Sequence, residues 1–283
     1  VLFPVWFFQG IQKMRYITIL NMSGRICTML GIFLLVKSPD DYILAAFLQA
    51  CTPLIAGIFS IVWLRKRYTG LFKWPTIGEI INSYKEGWSI FVSSLAVNLY
   101  TATNIVVLGM LTNNVIVGYY SAADKLITCV RRGIYAVSDA IYPFISKMMK
   151  DDISKGLQFI KKQIFLYLVV GLIGCTSLFF FSDTIVKLLF GADYNLTVDV
   201  LRILSFVPLA VAISTVFGEE TMLPLNMNSA YSRTLVLAAF FSLLSIFPLC
   251  YLWGAKGVAM TMLLTEFLIM IIMGGLLRKQ LFQ

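Results

Sequence analysis

The chain has 283 residues, of which 59% are hydrophobic and only 13% charged, and its formal net charge at pH 7 is +9. Soluble domains usually carry about 25% charged residues, so these proportions, with a mean hydropathy of +0.85, exclude an ordinary soluble protein and predict several membrane spans. Because the chain contains no histidine, His-based catalytic triads, proton relays and metal sites are excluded as well.

Nine apolar stretches are predicted to lie in the bilayer, because about 20 consecutive apolar residues cross its hydrocarbon core. The first, residues 1–9, is too short to cross. It ends in aromatic residues followed by Lys13 and Arg15, so we interpret it as the last turns of a helix that begins upstream, which makes the chain N-terminally truncated. The other stretches are 17–36, 43–64, 87–110, 125–146, 163–181, 203–223, 234–253 and 257–277.

Lysine and arginine are distributed unevenly between the connections on the two sides of the predicted membrane. Most of the 23 lie on the side of Lys13, or close to it. The connections on the other side hold Lys37, Lys125, Lys187, Arg202 and Lys256. By the positive-inside rule the side of Lys13 is cytoplasmic, and the span count places the C-terminus on that side too.

Residues 65–86 form the longest cytoplasmic connection. Thr76 and Glu79 have the spacing of a capping box, and Ile77, Ile81 and Tyr84 share one helical face. The pattern predicts either an amphipathic helix on the inner membrane surface or an ordinary loop with a short helix.

Three stretches resemble Wzx-type polysaccharide flippases. They are FPVWFFQGIQKMRYIT at 3–18, VGYYSAADKL at 117–126 and LLFGADYNLTVDVLRIL at 188–204. The resemblance implies the two-lobe fold of the multidrug/oligosaccharidyl-lipid/polysaccharide exporter superfamily, an all-α polytopic helical bundle with about nine of twelve spans present here. Residues 1–64 would end the first lobe, with a partial fourth helix and two spans, 65–86 would be the cytoplasmic linker, and 87–283 the second six-helix lobe.

Charged residues recur every seven positions in the predicted span 125–146 and therefore form two neighbouring rows along one helix. The rows are Lys125, Arg132 and Asp139 and, beside it, Asp124, Arg131 and Ser138. Such rows must face other helices or water, not lipid. In one interpretation Arg131, Arg132 and Lys125 line a wet cavity and bind pyrophosphate; in the other, an arginine pairs with Asp139 or Glu266 in an internal network. The surplus of positive charge favours the anion site.

Further polar residues within predicted spans have two interpretations each. Arg25 either faces the same cavity or extends to the inner membrane surface. Ser94, Asn98 and Thr101 share one face, and they either bind sugar hydroxyls or hydrogen-bond between helices.

Acidic residues are few in the predicted spans. Asp139 and Glu266 are interpreted as the only acids there, where they either couple transport to an ion gradient or pair with the arginines. Glu219 and Glu220 are interpreted as solvated neighbours near a helix end. No catalytic constellation, metal site or nucleotide-binding motif is predicted, and no cofactor or nucleic acid is expected.

The resemblance implies a function. The protein would flip undecaprenyl-pyrophosphate-linked repeat units across the bacterial inner membrane, for O-antigen or another surface polysaccharide, by alternating access. Its partners would be the lipid-linked oligosaccharide and membrane lipids, with a polysaccharide polymerase and a chain-length regulator as candidates, and it would not be an enzyme. The alternatives are a cation-coupled multidrug exporter of the same superfamily and a membrane-embedded polysaccharide polymerase.

Overall fold

The structure, a computed structural model, describes residues 14–38, 41–67, 76–191 and 193–282. Within these ranges the chain forms helices and no β-strand, which confirms the predicted all-α class. The predicted stretch 1–9 lies outside the described residues. Two compact units can be distinguished, Val1–Ile80 and Ile81–Gln283.

The first unit contains two long apolar helices, α1 (Met14–Leu35) and α2 (Tyr42–Arg67), which pack against each other. The hydroxyl oxygens of Thr28 and Thr52 lie 2.6 Å apart and join the two helices. This hydrogen bond satisfies polar groups in an otherwise apolar contact, as membrane helices commonly do.

The second unit is a helical bundle. Its helices are α3 (Ile77–Leu111, most of which belongs to this unit), α4 (Asn114–Asp151), α5 (Ile153–Phe190), α6 (Asn195–Leu204), α7 (Val207–Phe217), α8 (Asn228–Trp253) and α9 (Ala255–Phe282). A π-helical turn, Gly218–Met222, continues α7.

In the described residues, six helical segments are long and apolar enough to cross a membrane. They are Ile43–Val62, Ile90–Leu111, Ile153–Phe190, Asn195–Met222, Asn228–Trp253 and Ala255–Arg278. The last five belong to the second unit. Helix α4 is as long as α5, at 38 residues, but carries charged side chains in its middle.

The segment predicted as an amphipathic linker helix forms the first turns of α3 instead of a separate helix. The predicted capping box is present: Glu79 Oε2 accepts hydrogen bonds from the Thr76 backbone N–H at 2.8 Å and from the Thr76 hydroxyl at 2.9 Å. These hydrogen bonds hold the pKa of Glu79 below its ordinary value. No residue after Thr76 breaks the helical pattern, so the helix continues into the apolar run.

Helix α7 is the most buried element of the second unit, since every residue from Val207 to Val216 is buried. It packs against α4, α5 and α9. One cluster of buried apolar side chains includes Ile127 and Leu201, and a second includes Ile145 and Met273. This packing fixes which side of each neighbouring helix faces the interior.

Candidate functional site

The rotation of α4 separates the two predicted charged rows. Ile127 and Ile145, both fully buried, are 18 residues or five helical turns apart and so mark its inner face. Arg131 lies one turn after Ile127 and is drawn into the unit, whereas Arg132 lies about 100° around the helix and is exposed. The two arginines therefore have different environments.

Arg131 is held inside the second unit by an acidic partner. Its Nη2 atom lies 3.7 Å from Oε1 of Glu266 on α9, and the two side chains are only 11% and 4% exposed. The same Glu266 oxygen accepts a hydrogen bond of 3.1 Å from the Tyr100 hydroxyl on α3, while Tyr135 lies beside the guanidinium. The cluster joins three helices, and for Arg131 it corresponds to the internal-network interpretation.

A small polar cavity of about 80 Å³ lies next to Arg131. Polar groups from α3 and α4 line much of its wall, among them Thr101, Asp124 and Thr128. Asn104, also in the wall, is 1% exposed, and neither atom of its amide has a hydrogen-bond partner in the part of the chain that the structure describes. A water molecule needs about 10–15 Å³ of such volume, so the cavity is large enough and polar enough to hold several.

Lys125, Arg132 and Asp139 form an exposed row on α4. Within residues 14–38, 41–67, 76–191 and 193–282, no ion pair involves any of the three. The anticipated pairing of Asp139 with an arginine is therefore not formed. The row keeps two cations and one anion available to solvent or to a ligand.

The remaining predicted site residues lie on α1 and α3. Arg25 is exposed on α1. Asn98 donates from Nδ2 to the carbonyl oxygen of Ser94 at 2.8 Å, and Thr101 donates to the carbonyl of Val97 at 2.8 Å, so both bond within their own helix. Ser94 and Asn98 are exposed. The assignment of these residues to sugar binding stays a prediction.

The expectation that Glu219 and Glu220 are solvated is wrong. Both lie in the π-helical turn after α7, and Glu220 is fully buried. Nε2 of Gln163 on α5 donates to its Oε2 at 2.6 Å. Asp139 and Glu266 are therefore not the only acids in the spans. The predicted span 203–223 already contained both glutamates, and that was the available signal.

Comparison with known proteins agrees with this architecture. A family described as "Polysaccharide biosynthesis protein" matches residues 1–149. A putative O-antigen transporter of Shigella dysenteriae is 31% identical over 96% of the chain, which spans 68% of that protein. A putative O-antigen transporter of Escherichia coli (strain K12) is 30% identical over 95% of the chain, which spans 65% of its length.

A solved structure of the lipid II flippase MurJ, in an inward closed conformation, has the same fold. It matches 92% of the chain with a TM-score of 0.68 and 14% identity, and the chain covers 55% of it. The relatives are named as transporters and flippases, which confirms the prediction that the chain is not an enzyme. With a family match over more than half of its residues and a relative at 31% identity, the chain belongs to the polysaccharide biosynthesis family, in agreement with its resemblance to Wzx-type flippases.

Proposed function

We propose that the chain belongs to a transporter that flips lipid-linked oligosaccharides, with undecaprenyl-pyrophosphate-linked repeat units as the substrate. The product would be used for O-antigen or another surface polysaccharide. The names of the relatives support this proposal, as do the apolar helices and the fold shared with a lipid II flippase.

The observation that carries the mechanism is the exposure of Arg132 at the midpoint of α4. Arg132 lies 18 residues after Asn114 and 19 before Asp151, the two ends of the helix. With a rise of 1.5 Å per residue the helix is about 57 Å long, so its midpoint would lie near the centre of a hydrocarbon core of about 30 Å. There a lipid-facing guanidinium costs about 2.5–3.5 kcal/mol on insertion scales.

A water-filled path removes this cost, because the guanidinium then keeps its hydration until it binds an anion. Guanidinium groups match the oxygens of phosphate, and the head group of the proposed substrate carries two phosphates. Lys125 lies on the same exposed row, about 10 Å along the helix axis from Arg132. We assign the two cations to successive contacts with the phosphates during translocation.

Arg131 has a different role in this proposal. Its guanidinium already contacts Glu266, which in turn accepts the hydrogen bond from Tyr100. A paired and buried arginine positions α3, α4 and α9 around the path, and binding phosphate would require it to leave a carboxylate. The exposed Ser94 and Asn98 are assigned to sugar hydroxyls.

The prenyl tail stays in the lipid during the step, because each buried CH₂ group is worth about 0.8 kcal/mol. Only the charged head group and its sugars need a polar route, and alternating access supplies one without a continuous pore. The proposed location is the bacterial inner membrane with a cytoplasmic C-terminus, as the lysine and arginine distribution favours. A polysaccharide polymerase and a chain-length regulator are the proposed partners.

The test is complementation of a deletion strain with the full-length protein carrying R132Q. We expect loss of surface polysaccharide at normal protein level in the membrane, because the neutral amide has no charge for the phosphates. R132K should restore part of the export. R233Q is the matched control, since Arg233 is also exposed but lies near the start of α8. Normal polysaccharide from R132Q would contradict the phosphate contact.

A further inference from the structure

Three buried oxygen atoms without hydrogen-bond partners lie together beside the π-helical turn. They are Oε1 of Glu220, Oε1 of Gln163 and the hydroxyl of Tyr167, for which the described part of the chain supplies no partner. Glu220 is 0% exposed and Gln163 is 6% exposed. Gln163 and Tyr167 are one helical turn apart on α5 and so share a face. The Gln163 amide is aimed at Glu220, to which it donates its one hydrogen bond here.

The surroundings of Glu220 add negative charge and no positive charge. The neighbouring Glu219 faces Asp139 on α4 and Tyr231 on α8. Ser138, also on α4, lies beside the Glu220 carboxyl. In the described ranges, no lysine or arginine forms an ion pair with Glu219 or Glu220. Buried charges are normally paired or coordinate metals, because an unpaired carboxylate in an apolar interior is very costly.

The elements around this group are otherwise apolar. Ile160 on α5 and Met222 of the π-helical turn belong to the same buried cluster, against which Ile164 and Tyr167 pack. A π-helical turn is rare and often marks a functional site, since it displaces side chains from the positions they would occupy on an α-helix. Here the turn places the Glu220 carboxyl inside this cluster, against α5.

We propose that Glu220, Gln163 and Tyr167 bind a monovalent metal cation, Na⁺, through these oxygen atoms. A proton would join only one pair of oxygens, whereas a hard cation takes several oxygen ligands at once and so satisfies the carboxylate, the amide and the hydroxyl together. One carboxylate with neutral oxygens balances a single positive charge. In the described residues, no group of three or more His, Cys, Asp or Glu side chains suits a divalent metal.

The test is cation-dependent thermal unfolding of the purified full-length protein, in detergent, in NaCl, KCl or choline chloride at constant ionic strength. A ligand that binds the folded state raises the unfolding temperature in a concentration-dependent way. We expect a saturable rise with Na⁺ and little or none with choline. Binding of ²²Na⁺ to the same preparation should show displacement by unlabelled Na⁺.

Two variants and one control complete the design. E220Q and Q163M should weaken Na⁺ binding at least about tenfold, since even outer-shell changes at metal sites cost 10–100-fold. D199N should keep the full response, because Asp199 has a cationic partner of its own, Lys256 at 2.8 Å. If E220Q does not fold, Q163M and the ²²Na⁺ measurement on the unaltered protein still decide.

Three results would overturn the proposal. They are stabilisation that follows ionic strength whatever the cation, a Na⁺ response retained in Q163M, and stabilisation by acidic pH with no ²²Na⁺ binding. None of these results depends on flipping, so the cation site and the proposed transport function can fail independently.

Discussion

Removing the charge of Glu266 tests whether the Arg131 cluster holds the second unit together. Arg131 Nη2 and Glu266 Oε1 are 3.7 Å apart with both side chains nearly buried. At an effective dielectric constant of 20 this separation corresponds to an attraction of about 4–5 kcal/mol. Breaking a buried pair by removing one partner costs about 3–5 kcal/mol, because a buried charge is left without its partner. We therefore expect E266Q to lower the free energy of unfolding by roughly 3 kcal/mol.

The glutamine keeps an oxygen that can accept from the Tyr100 hydroxyl, so E266Q isolates the charge more cleanly than E266A. The assay is SDS-induced unfolding in mixed micelles, with R131L, E266L and the double variant R131L/E266L completing a cycle. The double variant should recover most of the stability lost in each single variant, because apolar replacements of a buried pair are often neutral. Losses that simply add, or an E266Q effect within about 0.5 kcal/mol of the unaltered protein, would refute this reasoning.

Two further predictions concern backbone packing and a helix cap. A Cβ atom at Gly257 would lie 1.8 Å from the carbonyl oxygen of Leu249, so G257A should destabilise the α8–α9 contact by about 3 kcal/mol in the same unfolding assay. G174A, at a glycine with nothing within 4 Å of the new methyl group, is its control and should behave like the unaltered protein. Asp152 caps α5, and the hydrogen bond from the backbone N–H of Lys155, chiefly, lowers its pKa from 3.8. Because the folded-state pKa is depressed, the cap stabilises fully above 3.8 and its contribution is lost as pH falls through the lower folded value. Hydrogen exchange at the start of α5 should thus accelerate below about pH 4 beyond the intrinsic pH effect, and D152A should remove that step; an unchanged step in D152A would contradict it.

Element identity in this protein follows from local pattern, and much of it could be predicted. Apolar runs gave the spans, and the capping-box spacing of Thr76 and Glu79 correctly marked a helix start, with the expected hydrogen bonds. The continuation of that helix into α3 was missed, since both a linker helix and the first turns of a span begin with the same cap. Sequence spacing carries no information on where a surface helix ends if no glycine or proline interrupts it.

The candidate site could be predicted only in part. The seven-residue spacing on α4 revealed two polar rows, but only tertiary packing decides which row faces inward. Arg131 meets an acid 135 residues later in the chain, and no local pattern can choose Glu266 over Asp139 for that contact. Glu220 was missed because adjacent acids usually lie at solvated helix ends, whereas here a π-helical turn buries one of them.

Transbilayer movement of a fluorescent undecaprenyl-pyrophosphate-linked oligosaccharide in proteoliposomes most directly tests the central claim, that the exposed cationic row of α4 carries a lipid-linked head group across the membrane. With the full-length protein we predict movement well above that of protein-free vesicles, reduced at least about tenfold by R132Q, as loss of a charge-assisted contact of roughly 1.5–3 kcal/mol implies. R233Q should move the lipid at the unaltered rate. Movement no faster than in protein-free vesicles, or an R132Q rate equal to that of the unaltered protein, would contradict the account.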